Sequence, residues 1–279
     1  MLRYLLTLSR PRFWLYTAGP VVVGVAYAAT GVGELFSPLT VALFAYFLLP
    51  ANVFLYGVND RFDRDIDAEN PKKDESGKEA RWRGEPAVTA VVALSGLLGL
   101  ALFPLTPAVA WPYLAGFLLL ATGYSAPPLR FKARPLLDSL SNGLYMLPGA
   151  AAYAALTGAH PPAAALVGGW LWTMGMHTYS AIPDIEPDRA ADIETTATWL
   201  GERRTYGYCL GCWTAAAVAF AALEPRLGGL LAVYPLFLLG TVGAGVDVDR
   251  AYWWFPFVNG VVGMAMTLGG LLAMRGVLS

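Results

Sequence analysis

The chain has 279 residues, of which 56% are hydrophobic and only 14% are charged, and its mean hydropathy is +0.50. Soluble domains carry about 25% charged residues, so this composition excludes an ordinary soluble protein and predicts a polytopic membrane protein. The net charge of −1 indicates no class of partner, because the charges are confined to particular segments.

Apolar segments long enough to span a bilayer, which takes roughly 20 residues, recur along the whole chain. We therefore predict an all-α fold with about nine transmembrane helices around a central cavity, forming a single domain over residues 1–279. The expected spans are 13–31, 38–59, 86–104, 108–125, 137–157, 162–183, 204–223, 227–245 and 252–273.

The basic residues predict the orientation, because cytoplasmic loops of membrane proteins carry an excess of Lys and Arg. With the N-terminus in the cytoplasm, 17 of the 19 basic residues fall on the cytoplasmic side, and only Arg226 and Arg275 fall outside. We expect a multi-pass protein of the cell membrane whose N-terminus and acidic loops face the cytoplasm.

Four carboxylates and one amide follow the second span within nine residues, from Asn59 to Asp67. Asp60, Asp63 and Asp67 have the spacing i, i+3, i+7, which places them on one face if the span continues as a helix. Asn59 lies one turn from Asp63, at the edge of that face. Acidic groups at the end of a span are costly unless something cationic neutralises them.

A second acidic series closes the sixth span, where Asp184, Asp188 and Asp192 have the spacing i, i+4, i+8. Pro183 and Pro187 make a regular helix there less secure. The two series predict a shared site for divalent cations and for an anion that those cations hold. Mg2+ suits such a site, because it binds through a few carboxylates together with substrate phosphates and water. The alternative is a pair of solvated acidic loops, but an ordinary loop has no reason to hold carboxylates at helical spacing.

A third polar element follows the fourth span and ends on the same side of the membrane. Tyr124 and Ser125 carry hydroxyls that donate to phosphate oxygens, and Arg130 and Lys132 carry cations that pair with them. The alternative is a basic membrane anchor after a Pro-Pro helix stop.

Three polar residues inside the spans have two interpretations each. His177 lies two turns before Asp184, and it either accepts a proton from the cavity or hydrogen-bonds between helices. Asp138 and Asn142 lie one turn apart, and a helix cap or a packing pair is their default role.

Three motifs together resemble the UbiA superfamily of intramembrane prenyltransferases. They are Asn-Asp-x-x-Asp-x-x-x-Asp after span 2, Tyr-Ser-x-Pro-Pro-x-Arg-x-Lys after span 4 and Asp-x-Glu-x-Asp after span 6. The stretches Ser9–Tyr16 and Asn70–Lys73 resemble the branch of that family that contains the lycopene elongases of C50 carotenoid synthesis.

The resemblance implies a role for each matching residue. Asn59, Asp60, Asp63 and Asp67 would form the first magnesium-binding motif, and Asp184 and Asp188 the second. Tyr124, Ser125 and Lys132 would contact the diphosphate. Asn59 and the cations Arg130 and Arg10 are further expected substrate-binding residues. Asp63, Asp184, Asp188 and Tyr124 are the expected catalytic residues.

The expected reaction is the Mg2+-dependent transfer of a prenyl group from an allylic diphosphate to a lipophilic acceptor in the bilayer, such as lycopene. One alternative is an aromatic prenyltransferase of quinone synthesis that acts on 4-hydroxybenzoate, in which Arg10 pairs with the acid. A remote alternative is an ion transporter, which would need ionisable groups across the membrane, whereas these charges stop at the cytoplasmic face. Nothing indicates a nucleic-acid partner.

Overall fold

A computed structural model of the protein describes residues 1–64 and 82–277, which form helices, turns and loops without any strand. Its α-helices, numbered in chain order, are α1 Leu2–Leu8, α2 Trp14–Ala28, α3 Val32–Leu35, α4 Pro38–Leu48, α5 Pro50–Phe62, α6 Pro86–Leu100, α7 Trp111–Gly123, α8 Leu137–Ser141, α9 Leu147–Thr157, α10 Ala163–Ser180, α11 Ile185–Ala190, α12 Thr196–Leu200, α13 Glu202–Ala221, α14 Pro225–Leu231, α15 Val233–Gly243, α16 Val248–Trp253 and α17 Phe255–Met274. One 3₁₀ turn precedes each of α2, α8, α9 and α11, and two precede α7.

Each of the nine expected spans overlaps at least one of these helices, although several spans are divided into two shorter helices. Four helical stretches are long and apolar enough to cross a membrane, namely Val32–Phe62, Pro86–Leu105, Pro225–Gly243 and Phe255–Met274. The protein is therefore an all-α, multi-pass membrane protein, and the count of nine spans stays a prediction.

The division between α4 and α5 comes from Pro50, which has no N–H to continue the backbone ladder of a helix. The side chain of Asn52 compensates, because its Nδ2 donates to the carbonyls of Phe47 and Leu48 at 3.0 Å each. It also donates to Thr17 Oγ1 at 2.7 Å, and that hydroxyl donates to Phe47 O at 2.6 Å. The broken helix is thus sealed by polar side chains, as a break at membrane depth requires.

The chain forms two compact units. Unit 1 comprises Met1–Leu129, Leu147–His160 and Thr267–Ser279, and unit 2 comprises Arg130–Met146 and Pro161–Met266. In unit 1, α2 and α9 touch backbone to backbone, because a Cβ built on Gly149 would lie 2.6 Å from the carbonyl oxygen of Pro20. A Cβ built on Gly24 would overlap the carbonyl group of Gly149. Small residues at such crossings are how membrane helices approach closely.

Unit 2 is built around aromatic side chains. The ring of Phe255 is fully buried and stacks on Trp213 and Tyr179, with centroid distances of 5.5 and 5.4 Å. Trp213 also donates its indole N–H to the carbonyl of Trp172 at 3.1 Å, which fixes α13 against α10. The second acidic series begins directly after α10, so this core fixes the helix that leads into that series.

Candidate functional site

The first acidic motif lies where α5 ends. Asp60 is fully buried in the last turn of the helix, and Asp63, which is 7% exposed, is the residue that follows the helix. The N–H of Asp63 still donates to the carbonyl of Asn59 at 3.0 Å. The single helix face that the spacing predicts therefore stops at Phe62, because Asp63 already leaves helical geometry, and Asp67 lies outside the described residues.

Arg10 joins this motif from the turn that precedes α2. Its Nη2 lies 3.2 Å from Asp60 Oδ1, and its guanidinium carbon lies 4.6 Å from the ring centre of Tyr56. The side chains of the pair are only 17% and 1% exposed, so the attraction is screened far less than at a surface. Arg10 has φ 50, a left-handed backbone that turns the chain toward α5.

Asn59 connects the motif to the third polar element of the sequence. Its Nδ2 donates to Ser125 Oγ at 2.8 Å across 66 residues of sequence, and Ser125 is 1% exposed. Tyr124 is half-buried and directly follows α7. The structure thus brings Asn59 into contact with Ser125, and it places Arg10, a substrate-binding residue in the sequence analysis, against Asp60 and the Tyr56 ring.

The basic part of the third element belongs to unit 2. Lys132 is half-buried in the 3₁₀ turn Phe131–Ala133, and Arg130 precedes this turn with a left-handed φ of 40. The segment is tied down at its far end, where the N–H of Leu136 donates to Thr196 Oγ1 at 2.8 Å.

The second acidic motif forms a regular helix despite its two prolines. The turn Ile182–Asp184 continues directly into α11, and Pro187 falls in the first turn of that helix, where an N–H has no partner within the helix. Asp184 and Asp188 are half-buried and one turn apart. Asp192 lies beyond the end of α11, is exposed and has φ 53, so it does not extend the same face.

The donor chemistry of both motifs suits Mg2+. Their members are carboxylates and one amide, which are the hard oxygen ligands that Mg2+ takes, and neither motif contains a thiol or an imidazole. Within residues 1–64 and 82–277, no three His, Cys, Asp or Glu side chains gather as a ready metal site. Asp67 is not among those residues, so the first motif is only partly described.

A buried polar network in unit 2 goes beyond the sequence-based assignment. Asp138 is 1% exposed, and its carboxylate accepts from both the N–H and the hydroxyl of Thr196, the former at 2.9 Å. Asn142 Nδ2 donates to the carbonyl of Asp138 at 2.7 Å, which is the local pairing that the sequence predicts. Asp138 is an acidic residue inside an apolar span, and that alone is a signal of function.

The comparisons with known proteins agree with these features. The sequence profile of the UbiA prenyltransferase family matches residues 17–254. A lycopene elongase/hydratase of Haloferax volcanii is 69% identical over 96% of this chain and 88% of its own length. A lycopene elongase/hydratase of Halobacterium salinarum is 63% identical over 97% of this chain and 98% of its own length.

One solved structure shows the same fold. A UbiA homolog from Archaeoglobus fulgidus, bound to DMAPP and Mg2+, aligns with a TM-score of 0.76 over 99% of this chain and 100% of that one. The two sequences are 20% identical, so this likeness speaks for the fold alone.

Proposed function

The chain belongs to the UbiA prenyltransferase family, and on that premise we propose that it transfers a prenyl group from an allylic diphosphate to the end of a linear carotenoid such as lycopene. The observation that carries the acceptor is the high identity to two relatives that are both named lycopene elongase/hydratase. Their name also leads us to propose that water adds to the new end group.

We propose Mg2+ as the metal cofactor. Its ligands would be Asn59, Asp60, Asp63 and Asp67 in the first motif, and Asp184 and Asp188 in the second. When bound, Mg2+ neutralises the charge that develops on the leaving diphosphate and so lowers the barrier to breaking the allylic C–O bond. The DMAPP and Mg2+ in the A. fulgidus homolog support this choice of donor and metal.

The protein's own cations and hydroxyls would hold the diphosphate. They are Arg10, Arg130 and Lys132 as cations, and Tyr124 and Ser125 as hydroxyl donors. Arg10 is already oriented, because Asp60 and the Tyr56 ring fix its guanidinium. A guanidinium carries five N–H donors in a rigid fork, enough to bind a carboxylate and a phosphate oxygen together.

The same pairing weakens the aromatic alternative. An acid such as 4-hydroxybenzoate would need Arg10 as its partner, but Arg10 lies 3.2 Å from Asp60 and its remaining donors are assigned here to the diphosphate. Moving a carboxylate from water into the membrane without a cation beside it costs several kcal/mol of desolvation free energy. A hydrocarbon acceptor pays no such cost and can enter laterally from the bilayer.

We further propose that the N-terminus and both acidic motifs face the cytoplasm. The distribution of basic residues supports this orientation, with 17 of 19 on that side. Diphosphates and Mg2+ are both available there.

The test is incubation of the purified protein with DMAPP, Mg2+ and lycopene, followed by mass analysis of the pigment. We expect products heavier by one or two five-carbon units, and none after chelation of the metal. Asp63→Asn and Asp184→Asn should abolish the product, whereas the control Asp192→Asn, at an exposed residue beyond α11, should retain it. Unchanged lycopene together with prenylated 4-hydroxybenzoate would refute the proposal.

A further inference from the structure

We propose that His177, oriented by Asp138, is the base that accepts the proton released when the new carbon–carbon bond has formed. The proposal rests on the proposed function, since it assigns a catalytic residue to that reaction. It uses a buried polar cluster that neither the metal motifs nor the diphosphate contacts require.

The first observation is a partly accessible stripe along α10 and the turn after it. Trp170, Met174, His177, Ala181 and Asp184 follow each other at steps of three or four residues, and each retains accessible surface. Such steps place side chains on one face of a helix. Within α10 this places Trp170, Met174 and His177 on one face, and the proposed metal ligand Asp184 follows seven residues after His177, in the 3₁₀ turn that comes after the helix.

The chain neighbours of His177 are enclosed. Met176 is 3% exposed and Thr178 is fully buried, whereas His177 between them retains accessible surface. His177 is therefore partly accessible within a turn of α10 that is otherwise packed on both sides of it.

The second observation is the hydrogen-bonded contact between α8 and α10. Thr178 Oγ1 donates to Ser139 Oγ at 2.8 Å, and Ser139 Oγ is also within 3.3 Å of the carbonyl of Met174. These bonds place Asp138, the neighbour of Ser139, beside the turn of α10 that carries His177.

Asp138 itself is fixed rather than solvated. Both carboxylate oxygens accept from Thr196, one from its N–H and one from its hydroxyl. A histidine close to a fixed carboxylate is a usual general base of enzymes. An ionisable pair inside a membrane span is costly, which makes a functional role the default interpretation.

The reaction releases one proton whichever way it ends. Breaking the C–O bond sends its electron pair to the diphosphate and leaves an allyl cation. The π electrons of the acceptor's terminal double bond form the new C–C bond, and the positive charge moves to the more substituted acceptor carbon. Then either a neighbouring C–H bond breaks to form a double bond, or a water oxygen forms a C–O bond and loses a proton. In both endings the Nε2 or Nδ1 lone pair of His177 takes that proton.

The depth of His177 fits this step. The diphosphate would lie at the acidic motifs, so the acceptor's reacting carbon must lie deeper along the prenyl chain, on the membrane side of Asp184. His177 is displaced from Asp184 in that direction by two helical turns.

The test compares His177→Gln with the matched control His160→Gln, which alters the only other histidine, at an exposed position after α9. Two rates are measured with DMAPP, Mg2+ and lycopene, namely pigment formation and release of prenyl alcohol from the donor. The thermal shift caused by Mg2+ and inorganic pyrophosphate reports whether the fold and the anion site survive.

For His177→Gln we expect pigment formation to fall by about 100-fold or more, the usual contribution of a general base, with donor ionisation and the pyrophosphate shift retained. Asp138→Asn should lower kcat for pigment by a smaller factor and leave KM for DMAPP unchanged. His160→Gln should match the wild type.

Two results would overturn the assignment. A wild-type rate in His177→Gln would mean that the departing diphosphate or water takes the proton. Loss of donor ionisation or of the pyrophosphate shift would make His177 a structural residue. Failure of the proposed function has a different signature, because the wild-type protein itself would then leave lycopene unchanged.

Discussion

The ion pair between Arg10 and Asp60 gives the sharpest test of how the first motif is built. Arg10→Ala removes the guanidinium and leaves a fully buried carboxylate beside the Tyr56 ring. We expect this variant to be less stable and to lose turnover, because in the proposed site the same guanidinium would hold both the motif and the diphosphate.

The magnitude follows from the exposure of the two partners. Removing one member of a buried pair costs about 3–5 kcal/mol, because the other charge is left uncompensated. Arg10 is 17% exposed, so water compensates in part and we expect about 3 kcal/mol, near the lower end. Asp60→Asn should cost less, about 1–2 kcal/mol, since it removes the buried charge and keeps an oxygen that accepts a hydrogen bond.

The assay is chemical unfolding in detergent, followed by circular dichroism, together with turnover of DMAPP and lycopene. The double variant Arg10→Met with Asp60→Leu separates the two roles. It should regain most of the lost stability, because apolar side chains often replace a buried pair at no cost. It should remain inactive, because it lacks both the guanidinium and the carboxylate that the proposed site takes from this pair. Full stability of Arg10→Ala, or activity of the double variant, would refute this reasoning.

Three further outcomes are expected. Gly24→Ala should destabilise the protein by about 1–3 kcal/mol in the same unfolding assay, because its Cβ would overlap the facing backbone, whereas Gly19→Ala, with open space around its Cβ, should not. Ser125→Ala should cost about 1 kcal/mol through its lost hydrogen bond and raise KM for DMAPP, measured by steady-state kinetics. Glu194→Cys should react with an impermeant thiol reagent only from the cytoplasmic side of oriented vesicles and Ala159→Cys only from the other, and labelling of both from one side would contradict the orientation.

The sequence predicted the chemistry of the motifs better than their backbone. Spacing alone grouped the carboxylates, because helical periodicity applies wherever the helix continues. It could not predict that α5 ends at Phe62 or that Asp192 adopts φ 53, since helix ends depend on local hydrogen bonds and on tertiary contacts. Pro187 made a helix look less secure from the sequence, but the structure has a helix there. Proline disfavours a helix interior and is well tolerated in the first turn.

Contacts between distant residues were the other part that the sequence could not supply. Arg10 and Asp60 are 50 residues apart, and composition gives no reason to pair that arginine with that aspartate. Asp138 and Thr196 are separated by 58 residues, so the sequence offered only the local pairing with Asn142. In each case packing of helices, and not a pattern along one helix, brings the groups together.

Asp60 and Asp138 are both buried, but different groups stabilise their negative charges, and this difference supports different roles. Asp60 faces a permanent cation, because its Oδ1 lies 3.2 Å from Nη2 of Arg10. Asp138 accepts instead from the neutral N–H and hydroxyl of Thr196, which stabilise the carboxylate without cancelling its charge. Its negative potential therefore remains available to a neighbour that becomes positive during the reaction, as His177 would on taking a proton. We therefore assign Asp60, whose partner is a cation, to positioning the donor. Asp138, whose partners are neutral groups, would assist the final proton transfer.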